Sequence, residues 1–243
     1  MKWFAPKTIV ILHGWGLSGE TFAPLADVLT SMGYRVHTPD LSGFGKSSVP
    51  TKPYDLSDYA SDVDAYCRRH GIKRTILLGH SFGGRVALKY VSLFPNKAYA
   101  LILTGTPGLS PIPRKRLLFF ILLAKIGGFI FSIPPLNLVN NFVRRWYYYA
   151  VGAKDFFRAE GVMRETFKAV VAEDLVPMME TLAVPVLLLW GELDIVVPTS
   201  IAAAMEHIIT GAKLIIIPGA DHGVPFKEPV RFAGYIEKFL QRL

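Results

Sequence analysis

The sequence predicts an α/β protein, a mostly parallel sheet flanked by helices, with a helical lid inserted past the middle of the chain. Three observations carry this. Strand-length runs recur along the 243 residues, at 8–12, 34–41, 73–78, 98–103, 184–190 and 212–217. Helix-like stretches separate most of them, and strands that alternate with helices imply a parallel sheet with helices on both faces. Near Pro107 the texture changes, and an apolar, basic and aromatic segment follows.

The first run, Thr8-Ile9-Val10-Ile11-Leu12, is β-branched and reads as a buried strand. It ends in His13-Gly14-Trp15-Gly16, where two glycines let the backbone fold tightly. Residues 20–32 read as a helix, with Phe22, Leu25, Ala26, Val28 and Leu29 apolar and Gly33 as its stop. Residues 34–41 form the next strand. It runs into Asp40-Leu41-Ser42-Gly43-Phe44-Gly45-Lys46-Ser47, read as a rigid turn in which Asp40 is structural. The helix at 57–70 carries Asp58, Asp62 and Asp64 towards its start and Arg68, Arg69 and His70 towards its end, which matches the helix dipole. A helix at 199–209 and a final helix at 226–243 close the pattern.

The chain is organised around Gly79-His80-Ser81-Phe82-Gly83, which follows the strand at 73–78 and opens a helix-like stretch at 85–93. A serine on so sharp a strand-to-helix turn has its Oγ pushed above the sheet edge. Gly79 and Gly83 flank it because a Cβ at either place would crowd the turn. The helix opening at Phe82 points free N–H groups at any negative charge that forms beside Ser81. The loop at 13–16 can present the Trp15 N–H as a second donor.

A serine becomes nucleophilic at neutral pH only with a base, and the base needs an orienting acid. Among six histidines, His222 alone lies in a loop after the final strand. His13 and His80 sit in the motif loops and shape the turns, while His37, His70 and His207 fall within strand or helix. For the acid, Asp194 at the end of the 184–190 strand competes with Glu192, two residues earlier, and with Asp221, which adjoins His222. Motif order favours Asp194.

Composition narrows the class. The chain is 51% hydrophobic and 19% charged, enough apolar residue for a large core and too little charge for a disordered chain. The single cysteine, Cys67, excludes an internal disulfide and reads as a half-buried structural thiol. No secretory leader is expected at the amino terminus, and the chain reads as cytoplasmic. The net charge of +8 suits an acidic carrier protein or an anionic lipid surface. Nucleic acid is not an expected partner, because no recognition motif accompanies the charge. Nothing sets the oligomeric state.

Residues 1–106 and 181–243 read as the core domain and 107–180 as the lid. The apolar stretch at 117–133 is about 17 residues long and holds Lys125, Gly127 and Gly128, too broken for a comfortable membrane span. Further lid helices are expected at 140–151, with Arg144, Arg145 and Trp146 followed by three tyrosines, and at 155–171. Their apolar faces are read as roofing a pocket.

These motifs stand together in one order: HGWG, DLSGFGKS, GHSFGG, WGELD and the DHG loop. In that order they resemble the α/β-hydrolase superfamily over nearly the whole chain. The resemblance implies Ser81 as nucleophile, His222 as base, Asp194 as acid, and the Trp15 and Phe82 N–H groups as oxyanion hole. The HGWG loop is similar to that of the pimeloyl-acyl-carrier-protein methyl esterases. Carboxylesterases, lipid-ester hydrolases and meta-cleavage-product C–C hydrolases are also similar. Gly223 stands where the C–C hydrolases usually carry tryptophan, and the elbow serine is aspartate in haloalkane dehalogenases. One or two amino-terminal strands common in the family are expected to be missing.

The expected activity is hydrolysis of small to medium acyl or aromatic carboxylic esters through an acyl-enzyme, without metal or organic cofactor. His13, Gly14, His80, Trp146 and Val196 are the expected substrate-binding residues. Three other readings stay open. One is an esterase for acyl-carrier-protein methyl esters or monoacylglycerol-type lipids, another a C–C hydrolase, and the third a non-enzymic module that binds a hydrophobic ligand.

Overall fold

The computed structural model describes residues 7–109 and 159–243. Six strands form one sheet: β1 (Thr8–Leu12), β2 (Arg35–His37), β3 (Thr75–His80), β4 (Ala98–Thr104), β5 (Val186–Gly191) and β6 (Lys213–Ile217). Their spatial order is β2-β1-β3-β4-β5-β6, and every neighbouring pair is parallel. The helices are α1 (Ala23–Ser31), α2 (Leu56–Arg69), α3 (Phe82–Leu93), α4 (Gly161–Ala172), α5 (Val176–Glu180), α6 (Thr199–Ile208), α7 (Val224–Lys227) and α8 (Pro229–Leu240).

Both sheet faces are covered, so the central strands carry apolar residues at consecutive positions rather than at alternate ones. The two-residue side-chain period divides them between two cores. Ile9, Ile11, Ile76, Leu78 and Ile102 share one core with Leu25 and Leu29 of α1 and Phe232 and Ile236 of α8. Val10, Leu12, Leu77, Leu101 and Leu103 share the other with residues of α2, α3 and α6. Asp55 caps α2, its Oδ1 accepting from the Ser57 and Asp58 N–H groups at 2.7 and 2.9 Å. Such a cap contributes about 1 kcal/mol.

The strand order also places the site. From β1 the chain crosses to β2 on one side, and from β3 onward it builds the sheet on the other. The crevice at the carboxyl ends of β1 and β3 is therefore the topological switch point, where open α/β sheets bind their ligands. The HGWG loop leaves β1 there, and Ser81 leaves β3 beside it.

Three element boundaries depart from the sequence reading. The strand expected at 34–41 spans only Arg35–His37, because Asp40 turns inward to accept from the Gly19 N–H (2.7 Å) and the Lys46 N–H (2.8 Å). The helix expected at 20–32 starts as a 3-10 turn, Gly19–Phe22, and becomes α1 at Ala23, with Pro24 in its first turn. The final helix is broken at Pro229 into α7 and α8. The expected lid segments at 117–133 and 140–151, with Trp146, lie outside the described residues, whereas α4 overlaps the helix expected at 155–171 and ends one residue later, at Ala172. Among the described residues no helix is long and apolar enough to cross a membrane.

Candidate active site

Ser81 has φ 52° and ψ −118°, and it alone among the described non-glycine residues has a positive φ. An L-residue held there costs roughly 1–2 kcal/mol. The surroundings enforce it. The Ser81 N–H donates to the Thr104 carbonyl at 2.9 Å, and the Gly84 N–H donates to the Ser81 carbonyl at 3.0 Å. The glycines are required by close approach: a Cβ on Gly83 would overlap the Leu12 carbonyl, and one on Gly84 would overlap the Thr106 side chain. The elbow is thus wedged against the ends of β1 and β4.

Asp194 follows β5, and its side chain is 1% exposed. Its Oδ1 accepts from the Val196 N–H (2.9 Å) and the Val197 N–H (2.8 Å), which leaves Oδ2 aimed at His222. The His222 Nδ1 lies 2.7 Å from that oxygen. A carboxylate oxygen only accepts, so Nδ1 carries a proton, and in the neutral ring it is Nε2 that keeps the lone pair. Nε2 makes no hydrogen bond among the described residues. The two other acids are engaged elsewhere. Glu192 accepts from the Gly219 N–H at 2.8 Å. Asp221 pairs with the Lys227 ammonium, which holds its carboxyl below the usual range, and accepts from the Gly223 N–H at 2.8 Å.

The chain around Ser81 comes close to His222 through neighbouring residues, with no hydrogen bond between the two side chains among the described residues. The His80 ring lies 4.7 Å from the His222 ring, centroid to centroid. A Cβ on Gly105, the residue after Thr104, would come 2.5 Å from His222 Cε1 and 3.4 Å from Asp194 Oδ2. A Cβ on Gly14 would stand 3.4 Å from the Ser81 Cβ. The Phe82 N–H is the first of α3 and has no intrahelical acceptor. The Trp15 N–H makes no hydrogen bond among the described residues. The Trp15 ring packs edge-on against Phe82 (5.2 Å), Phe44 (4.8 Å) and Phe167 of α4 (4.9 Å), an aromatic wall beside both N–H groups.

The residues expected to bind substrate are placed differently from one another. His13 is buried, with Nδ1 donating to the Gly14 carbonyl (2.8 Å) and Nε2 accepting from the Leu41 N–H (3.0 Å). Both nitrogens are spent on tying the two glycine-rich loops together, so the ring shapes the site and has none left for a substrate. Gly14 does lie against Ser81. His80 is buried, and its Nδ1 has no partner among the described residues. Val196 is 63% exposed and serves Asp194 through its backbone. Trp146 lies outside the described residues. Phe44, Phe167 and Arg85, which the sequence reading did not single out, are part of the surroundings. Phe44 alone had a signal, a large apolar residue inside a Gly-Phe-Gly turn. A cleft of about 450 Å³ between the 39–51 loop and α2, lined by Asp40, Ser42, Tyr54, Asp62 and Tyr66, includes none of Ser81, Asp194 and His222.

Burial pushes the pKa of His80 well below the usual histidine value, helped by the neighbouring His222 and His13 rings, and burial lowers that of His13 as well. A neutral His80 places no positive charge beside His222. Because both folded-state values lie below the unfolded value of about 6.5, the unfolded chain binds more protons in acid. Stability is therefore expected to be level above about pH 6.5 and to fall progressively as the pH drops below it. His37, also lowered by burial, contributes in the same sense. Asp40 and Asp221 are held below the usual carboxylate range, so they lose stability only in a lower window, under about pH 4. Urea midpoints at pH 7.5, 6 and 5 check this, and a flat profile to pH 5 would contradict it.

The parallel six-stranded sheet flanked by helices agrees with the sequence relationships of the chain. Residues 7–138 match the family model of the alpha/beta hydrolase fold, and residues 167–242 match that of TAP-like proteins. The chain belongs to the α/β-hydrolase family. It is 27% identical over 241 residues to a bifunctional esterase/perhydrolase of Acinetobacter calcoaceticus, covering 89% of this chain and 85% of that one. It is also 27% identical over 255 residues to a pimeloyl-[acyl-carrier protein] methyl ester esterase of Edwardsiella ictaluri, covering 96% and 93%. In fold it is similar to an esterase from Exiguobacterium antarcticum, at 24% identity and a TM-score of 0.74, over 98% of this chain and 92% of that one.

Proposed function

We propose that the protein is a serine carboxylesterase that acts on small to medium acyl or aromatic esters. One observation carries the reading: Asp194 Oδ2 holds His222 Nδ1 at 2.7 Å while Oδ1 is pinned by two backbone N–H groups, and the His222 ring lies 4.7 Å from that of His80, the residue before a serine on a strained strand-to-helix turn. A structural histidine would not need its carboxylate fixed at both oxygens with Nε2 left free.

In this reading the Ser81 Oγ attacks the ester carbonyl carbon as its proton passes to His222 Nε2. The Trp15 and Phe82 N–H groups take the oxyanion, at about 3 kcal/mol per donor. The tetrahedral intermediate collapses, the alcohol leaves with the proton from His222, and an acyl-Ser81 ester remains. Water then gives a proton to His222 and attacks the acyl carbon, which frees the acid and restores Ser81. The aromatic wall of Trp15, Phe44 and Phe167 offers an apolar surface to the acyl group. In the same reading Phe167 of α4, in the insertion between β4 and β5, belongs to that apolar surface.

The test is a p-nitrophenyl ester series from acetate to palmitate. The expected result is hydrolysis peaking at short to medium chains. A flat zero with folded protein would sink the reading. A second reading, an acyl-carrier-borne methyl ester, is supported by the net charge of +8 and by the Edwardsiella relative. It predicts that salt suppresses turnover of the carrier-bound ester and spares small esters.

A further inference from the structure

The nucleophile helix carries a buried charge that the reaction does not use. Arg85 lies four residues after Ser81, about one helical turn along α3. It is 6% exposed. Its guanidinium donates from Nη1 to the Pro107 carbonyl at 2.6 Å and from Nη2 to the carbonyls of Val170 (2.8 Å) and Glu173 (2.6 Å). The Glu173 carboxylate is bound instead by the Lys89 ammonium at 2.7 Å. Taking a guanidinium out of water is costly unless its donors are met; here backbone carbonyls meet Nη1 and Nη2, while Nε has no partner among the described residues.

Those carbonyls are not arbitrary. Val170 is in the last turn of α4, where carbonyls have no intrahelical donor, and Glu173 is the C-cap of that helix. A cation there also faces the negative end of the helix dipole. Pro107 lies just past the end of β4. One side chain thus joins the nucleophile helix, the exit from β4 and the carboxyl end of α4.

Along its length, one stripe of α4 rests on the loops that build the site. Thr166 Oγ1 accepts from the Tyr54 N–H at 3.0 Å. Phe167 meets Trp15 at 4.9 Å, and Met163 fills the space over Gly43, where a Cβ would come 2.5 Å from its sulfur. We propose that Arg85 is a positioning residue: by capping α4 it sets where Phe167 and Met163 press on the HGWG and DLSGFG loops, and so fixes the Trp15 wall against which the acyl group lies. The role in acyl binding rests on the esterase reading, whereas the mechanical coupling does not. Burial lowers the Arg85 pKa to about 10, which leaves the group charged at neutral pH.

The test compares Arg85→Lys, Arg85→Met and Lys89→Met by hydrogen exchange and ester kinetics. Arg85→Lys keeps a cation but cannot reach three carbonyls at once. It is expected to speed exchange about tenfold in residues 161–172 and in the HGWG segment, with β1 and β3 unchanged. It should also raise KM for p-nitrophenyl octanoate about fivefold while kcat/KM for the acetate stays within about twofold. Arg85→Met should exceed it in both, and Lys89→Met, which leaves the cap intact, should change neither. Should Arg85→Met fail to fold, Arg85→Lys decides alone. Unchanged exchange in both segments, or equal losses on acetate and octanoate, would overturn the proposal. If the unaltered protein hydrolyses no ester, the esterase reading falls, and exchange still decides whether Arg85 couples α4 to the HGWG loop.

Discussion

Ser81→Ala is expected to lower kcat/KM on p-nitrophenyl butyrate by about 10⁴-fold or more, with the fold retained. In the proposed esterase reading, losing the nucleophile disables the whole Ser-His-Asp unit, so what remains comes from binding and the oxyanion donors. The backbone of the elbow adds a second, independent outcome. Ser81 sits at φ 52°, and alanine inherits that strain while glycine does not. Ser81→Gly is therefore expected to be as inactive as Ser81→Ala and more stable by about 1 kcal/mol in urea denaturation. Activity surviving in both variants would move the chemistry to another residue. Equal stability would mean that the turn is not strained as its φ implies.

Asp194→Asn is expected to lower kcat by about 10⁴-fold with little change in KM. The Asn Oδ1 can still accept from the Val196 and Val197 N–H groups, so the loop after β5 should hold. Its amide nitrogen then faces His222 Nδ1, where Oδ2 now lies at 2.7 Å. An amide N–H can only donate, so Nδ1 must become the acceptor and the proton moves to Nε2. That nitrogen can then no longer take the Ser81 proton. A loss below about tenfold would show that Asp194 does not set the tautomer. The same substitution at Glu192 or Asp221 should cost far less, since one binds Gly219 and the other Lys227.

Much of this arrangement was legible in the sequence, for reasons visible in particular residues. Ile9, Ile76, Ile102 and Leu187 belong to strands buried on both faces, and such strands announce themselves as unbroken apolar runs. The elbow was legible because Gly79, Gly83 and Gly84 have no room for a Cβ, a constraint that writes itself into composition. Edge strand β2 was over-read because the period of the pattern says nothing of Asp40 folding back to bind Gly19 and Lys46. The contributions of Phe167 and Arg85 were hidden for a different reason. Phe167 touches Trp15 and Arg85 touches Val170 and Glu173 across long stretches of chain, and such contacts depend on where α4 docks. A lone arginine among the apolar residues of α3 was the one available hint. His13 looked available to a substrate because its pairing with the Leu41 N–H joins two loops 28 residues apart.

The most direct measurement is covalent labelling with a fluorophosphonate, followed by peptide mass spectrometry. Such a reagent phosphonylates a serine only when a neighbouring base takes its proton, so it reads the Ser81–His222–Asp194 unit without knowledge of the substrate. The account predicts about one equivalent of adduct per chain, on Ser81, and its loss in His222→Ala. A folded protein that takes no label, or takes it at another residue with His222→Ala unaffected, would contradict the assignment of Ser81 as an activated nucleophile.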